Sequence, residues 1–175
     1  MSSDNKKTNV THTGLGAAPE KRVIKLNEGS KKARKTAARL ASVQVWYQML
    51  ISEQNVTEAL KDFIDHRIGF ELDGDVFVPA DQEMLTKIIH GMRDERPELQ
   101  EMIHTTLTAK GHEAVEPLLQ SILMAGLYEL KNHHDIDAGI IIADYLNVTF
   151  AFYDKGGETR LINAVLDHFA KSLRG

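Results

Sequence analysis

Positive charge at helical spacing is the first chemistry the chain offers. In the stretch 31–52, KKARKTAARLASVQVWYQMLIS, residues Lys32, Lys35 and Arg39 stand at i, i+3 and i+7. At about 100° per residue their side chains share one face of a helix, and Val43 and Trp46 continue that line into an apolar half. Lys31 and Arg34 add to the charge. A face of this kind holds phosphates by electrostatic attraction and makes no bonds. An isolated run of Lys and Arg is more often a solvated surface, so its weight depends on the charge layout around it. Residues 1–39 carry 10 Lys and Arg against 3 Asp and Glu, a net of +7, whereas residues 40–175 carry 11 against 22, a net of −11. A mildly acidic protein that gathers its positive charge at one end is laid out to meet a polyanion there and another partner on its acidic body.

Groups that could break or form bonds are few. His133, His134 and Asp135 are adjacent, but consecutive residues at a helix end point in different directions, and no H-x-x-x-H or H-x-x-E-H spacing accompanies them. They read as a helix cap or a solvated end. No G-x-S-x-G elbow occurs, and Gly156-Gly157 lack the Lys-Ser/Thr of a phosphate loop. The acids Asp94-Glu95 read as surface residues. Neither a catalytic residue nor a metal or cofactor is expected. Tyr47 reads as a core aromatic with its hydroxyl at the rim or, since it lies about 80° round and roughly 12 Å along the helix from Arg39, as a stacking platform for RNA. Gln44 is expected to offer hydrogen bonds to a base edge.

The elements that must position these residues are helices. At 42% hydrophobic and 26% charged residues, 175 residues suffice for one domain with a sizeable core. Absence of cysteine excludes a disulfide framework and fits a reducing compartment. No 18-residue apolar run suggests a membrane span, and no targeting segment is recognised, so the cytoplasm is the expected location. Residues 1–28 are polar and turn-rich and read as a disordered basic arm, with Lys21, Arg22 and Lys25 extending the positive field; residues 29–175 read as a single domain.

After the basic helix, Thr57 is expected to cap a second helix reaching about residue 68, with Leu60, Phe63, Ile64 and Arg67 on one buried stripe. Residues 69–79, with the turn signal Asp73-Gly74, read as a loop between helices, a hairpin being the alternative. A third helix starts near Asp81 and a fourth at Pro97. Leu119, Ile122, Leu123, Gly126, Leu127 and Leu130 occupy one helical face without a miss. Gly126 in that stripe costs about 1 kcal/mol relative to Ala, which predicts a close helix crossing there. Residues 136–152 are apolar on nearly every side and are expected to form the central helix, ended by Gly156-Gly157. A last amphipathic helix carries Leu161 to Leu173. Six to seven helices give an all-α domain.

These residues resemble a known family. Ala38 to Gln48, ARLASVQVWYQ, is similar to the "A-R-E-x-A-x-Q-x-L-Y-Q" helix of the bacterial transcription antitermination factor NusB family. Residues 122–130, ILMAGLYEL, resemble the family's "I-L-R-x-G-x-Y-E-L". Asp135-Ile136 with Ile140 to Asp144 resembles "D-V-P-x-x-V-x-I-N/S-E", and residues 161–167 resemble "F-V-N-G-V-L-D". The order of the blocks is jointly specific. Leu40, Met124, Asp137, Ala143 and Ala164 depart from these patterns.

The resemblance implies a fold of two small helical bundles and a non-enzymatic role. Family members bind the single-stranded boxA element of ribosomal RNA leader transcripts, pair with NusE, a small-subunit ribosomal protein, and act with other Nus factors on the RNA polymerase elongation complex. The basic run then maps to Lys31, Lys32, Arg34, Lys35 and Arg39, the RNA-side tyrosine to Tyr47, and an acidic residue tied to antitermination to Asp135. NusE is expected near Tyr128, Glu129 and Asn163, and both monomers and homodimers occur. Five cations on phosphates would give a log-log salt slope near −3.5. The alternative from another class is an interaction module that docks a basic ribosomal or polymerase-associated protein without RNA specificity of its own. RNA cytosine methyltransferases can carry a similar domain, but no cofactor-binding motif is present and catalysis is not expected.

Overall fold

The structure is a computed structural model that describes residues 29–67 and 78–175. The arm expected over residues 1–28, and most of the loop or hairpin expected over 69–79, lie outside the described residues. Among those described, the chain forms seven α-helices and no strand.

Helix α1, Lys31–Ser52, runs unbroken through its charged and apolar halves. The Ser30 hydroxyl accepts the Ala33 N–H at 3.0 Å and satisfies one of the free amides of the first turn. Its second half buries Val43, Val45, Trp46 and Met49. Helix α2, Val56–His66, is capped by Asn55, whose Oδ1 accepts the Thr57 N–H at 2.8 Å, so the cap lies two residues before the expected Thr57. Arg67 falls beyond the helix end and is exposed. Its guanidinium lies 5.8 Å from the Phe63 ring centroid and takes no place in the buried stripe.

Helix α3, Gln82–Asp94, starts from an Asp81 cap, and α4, Arg96–Ala109, carries Pro97 in its first turn, as expected. The remaining helices are α5, Pro117–Asn132, α6, Ala138–Phe152, and α7, Gly156–Arg174. Here the sequence reading needs two corrections. Gly156 and Gly157 open α7 and do not simply end the preceding region, because glycine is tolerated in a first turn whose amides need no intrahelical partner. The central helix is α5, in which every residue from 121 to 130 is buried, whereas α6 leaves Ile140 53% and Phe150 61% exposed. All-round apolarity marked α6 as central, but its outer face looks to solvent.

Helix α1 packs against α2 and α3 on one side and against α5 and α6 on the other. Helices α5, α6 and α7 pack on one another, and α4 rests on α5 and α7, which gives two small bundles joined through α1 and α5. The crossing expected at Gly126 is with α7. A Cβ there would come within 2.8 Å of the Leu166 Cδ2, so the missing side chain sets the approach of the two helices. Among the described residues no helix is long and apolar enough to cross a membrane.

Candidate nucleic-acid interface

Helices α1, α5 and α6 meet at Arg39, which is only 2% exposed. Its guanidinium donates from Nε to Glu129 Oε2 at 2.7 Å, from Nη2 to Glu129 Oε1 at 3.0 Å and from Nη1 to Asp144 Oδ2 at 2.6 Å. Thr36 Oγ1 also donates to Asp144, at 3.0 Å. Glu129 receives two further bonds, from the Tyr145 hydroxyl at 2.7 Å and from His133 Nδ1 at 3.0 Å. Burial alone would push the Glu129 carboxyl up. Hydrogen bonds from His133 and Arg39, the Arg39 charge and the Tyr145 hydroxyl outweigh it and hold the group below its usual range. Burial likewise opposes the Arg39 charge, and Glu129 more than offsets it. Burial and the neighbouring Glu129 keep the Tyr145 hydroxyl protonated far above the usual range.

This cluster corrects three sequence expectations. Arg39 does not stand beside Lys32 and Lys35 as a free phosphate ligand, because it is buried and three of its five N–H donors go to Glu129 and Asp144. Glu129 is fully buried and cannot form a docking surface. Tyr128 is buried as well: its ring occupies the space a Cβ on Gly91 of α3 would take, 2.1 Å from its Cζ, and meets the His133 ring edge-on at 5.5 Å. Asn163, the third residue of that group, is exposed on α7.

What remains at the basic end of α1 is organised around two hollows. The larger, of about 580 Å³, lies between α1 and α6. Lys31, Lys32 and Lys35 line its α1 side, and Ile140, Ala143 and Asn147 line its α6 side, with the buried Arg39–Asp144 pair at its base. The second, of about 230 Å³, shares Lys35 and Ile136 with the first and extends to Asp81, Glu83 and Lys87 at the start of α3 and to His133 and Asp135. Arg34 is half-buried and its Nε is sealed from solvent. Lys87 and Glu83 were not singled out by sequence reasoning, and His133 was read there only as a helix cap or a solvated end; it is the C-cap of α5 and is buried. The available signal was positional: His133 stands four residues after Glu129, one helical turn on.

The segment 133–136 that supplies His133 and Asp135 is fixed from the far end of the chain. Arg174, in the last turn of α7, donates to the carbonyls of Glu129, Leu130, His133 and Ile136 at 3.1, 2.7, 2.9 and 2.6 Å. The Glu129 and His133 carbonyls already accept the N–H groups of His133 and Ile136, so Arg174 adds a second bond to each and serves Leu130 and Ile136 as well. Tyr47 and Gln44 are not brought to the lysine hollows. They line a separate hollow of about 400 Å³ with Ile51, Leu118 and Phe152. Among the described residues no group of three or more His, Asp or Glu side chains is placed to hold a metal.

A family model described as the NusB family matches residues 36–171. The transcription antitermination protein NusB of Rhodopseudomonas palustris (strain HaA2) is 37% identical over 150 residues, covering 84% of this chain and 88% of its own length. The same protein of Bartonella henselae is 35% identical over 142 residues, covering 81% and 89%. Among solved structures, T. maritima NusB superposes with a TM-score of 0.66 at 17% identity, covering 81% of this chain and 93% of that one. A chain from a structure of the antitermination factors NusB and NusE in complex with dsRNA gives 0.65 at 19% identity, covering 82% and 99%. On this family match and these relatives, the chain belongs to the NusB family.

Proposed function

We propose that the protein acts in transcription antitermination in the cytoplasm. It binds boxA-type single-stranded RNA of ribosomal RNA leader transcripts, together with a NusE-type small-subunit ribosomal protein, and so modifies the RNA polymerase elongation complex alongside other Nus factors. The observation that carries this reading is the lysine-edged hollow between α1 and α6, which joins three cations, Lys31, Lys32 and Lys35, to an apolar wall at Ile136 and Ile140. Phosphates would sit on the lysines while unstacked bases lie against the apolar wall. A solved structural neighbour, NusB with NusE in complex with dsRNA, supports the pairing of an RNA with a NusE-type partner.

The partner is proposed to seat at the opposite end of α1. Exposed Tyr47 and Ile51 lie beside Leu118 and Phe152 there, and exposed apolar residues grouped in this way mark protein docking sites. Tyr47 and Gln44 would then contact the partner or RNA that spans both proteins. Asn163 on α7 stays a proposed partner contact of its own. That apolar hollow also favours the second reading, a docking module without RNA specificity.

One experiment separates the two: binding of the purified protein, alone and with NusE, to a boxA-like RNA and a scrambled control at two salt concentrations. Salt-dependent, partner-enhanced preference for the boxA-like RNA, lost in Lys31→Gln/Lys32→Gln/Lys35→Gln while NusE still binds, supports the RNA reading. Equal weak binding to both RNAs, unchanged in the triple variant, would leave the docking module.

A further inference from the structure

The turn that joins α5 to α6 belongs to the wall of the lysine-edged hollow. Ile136 lines that hollow, and Asp137 caps the helix that carries Ile140, Ala143 and Asn147 into it. Two arginines from distant parts of the chain hold the turn. Arg174 reaches it from α7 with all three of its guanidinium nitrogens: Nη1 donates to the Ile136 carbonyl at 2.6 Å, Nη2 to those of His133 and Glu129 at 2.9 and 3.1 Å, and Nε to that of Leu130 at 2.7 Å. Arg39 works from the other side, through a side chain. It grips the Glu129 carboxylate with Nε and Nη2, and His133 Nδ1 meets the same carboxylate at 3.0 Å, which ties the first residue of the turn to α1.

A guanidinium fixes direction as well as distance, because its donors are coplanar and rigidly spaced. Four carbonyls meet one such fork only when the backbone that bears them has one shape. Lys35 and Lys32 stand one and two turns before Arg39 on α1, so the chain Arg39–Glu129–His133 sets how far the cations lie from the turn. RNA that rests phosphates on one wall and bases on the other is sensitive to that spacing. A site that holds its competent shape only part of the time binds more weakly in the same proportion.

We infer that Arg39 and Arg174 are positioning residues for RNA binding, which set the distance and the shape of the wall opposite the lysines without themselves holding phosphate; this rests on the RNA reading proposed above. Arg39 is 2% exposed, and Arg174 lines neither of the two hollows. Both act through residues that the RNA would meet.

The test is binding of the full chain to the boxA-like RNA across a salt series, at a temperature where every variant is folded. Arg174→Lys keeps the positive charge and loses the fork, and Arg174→Met loses both. Affinity is expected to fall about threefold in the first and about tenfold in the second, with the log-log salt slope unchanged in each. Lys35→Gln, which removes a phosphate contact, is expected to make the slope shallower by about 0.7, and Arg39→Gln to weaken binding without doing so. Where Arg39→Gln lacks native helicity, the two Arg174 variants decide the outcome. Leu60→Ala, in the buried face of α2, lowers the urea midpoint without touching the turn and is expected to keep full affinity. Unchanged affinity in both Arg174 variants, an equal loss in Leu60→Ala, or a slope as shallow as that of Lys35→Gln would overturn the positioning role and leave the RNA reading standing. Absence of salt-dependent binding by the unaltered chain would overturn both.

Discussion

Arg39 is the residue on which surface and interior chemistry part. It stands in the same basic run as Lys32 and Lys35, yet it is the counter-charge for Glu129 and Asp144. Arg39→Ala would leave two carboxylates in the interior, and removing one partner of a buried pair typically costs about 3–5 kcal/mol. A urea midpoint lowered accordingly, with Arg39→Lys recovering only part because an ammonium lacks the fork, would confirm the role. Glu129 sets a pH dependence of definite sign. Its carboxyl lies below the usual glutamate value of 4.5 in the folded chain. Its contribution is therefore complete above about pH 4.5 and is lost as pH falls through the lower folded value. Urea midpoints measured from pH 6 down to pH 3 should fall, and less steeply in Glu129→Gln. With Arg39 withdrawn, Lys31, Lys32, Arg34 and Lys35 remain, and the expected salt slope for single-stranded RNA becomes about −2.8, against −3.5 for five cations. Sequence alone could not reveal this, since a helical wheel locates Arg39 on a line of charge but carries no information on the carboxylates that α5 and α6 bring opposite it.

At the scale of elements, most of the helices were legible because their stripes are regular. The run from Leu119 to Leu130 announced α5, and Gly126 announced a close crossing there, whose partner, α7, only the structure identifies. What escaped were features decided by neighbours. The outward face of α6 has the same composition as a buried one, and Ile140 and Phe150 give no sign in sequence that nothing covers them. Asn55 took the cap from Thr57 because either side chain can accept an N–H in a first turn, and only the path of the backbone selects between them. A second glycine, Gly91, was not noticed, though it holds the α3–α5 contact as Gly126 holds α5–α7. Gly91→Ala would gain about 1 kcal/mol in helix propensity but drive a methyl into the Tyr128 ring. Overpacking of that kind costs about 1–3 kcal/mol, so the net change should be destabilising. Thermal melts of Gly91→Ala, Tyr128→Leu and the double variant should show the two substitutions partly cancelling.

Across the whole molecule, α7 closes the structure onto the face that the lysines edge. Its last turn reaches back through Arg174 to four carbonyls at the end of α5 and in the segment that carries His133 and Asp135. Arg174→Met keeps the aliphatic stem and removes the donors. It should destabilise the fold by about 1–3 kcal/mol, since the part-buried carbonyls of Leu130 and Ile136 lose their donor. Hydrogen exchange should rise at residues 133–136 before it rises in the body of α5, and RNA affinity should fall although no lysine has changed. Sequence reasoning did not single out Arg174, and the 38 to 45 residues between it and its partners hid the connection. That separation also has a meaning in time. A ribosome adding about 5–20 residues per second releases the segment some 2 to 9 seconds before it adds the arginine that pins it. For that interval the turn after α5 has none of the four hydrogen bonds that will hold it, so its final shape waits on a part of the chain that does not yet exist.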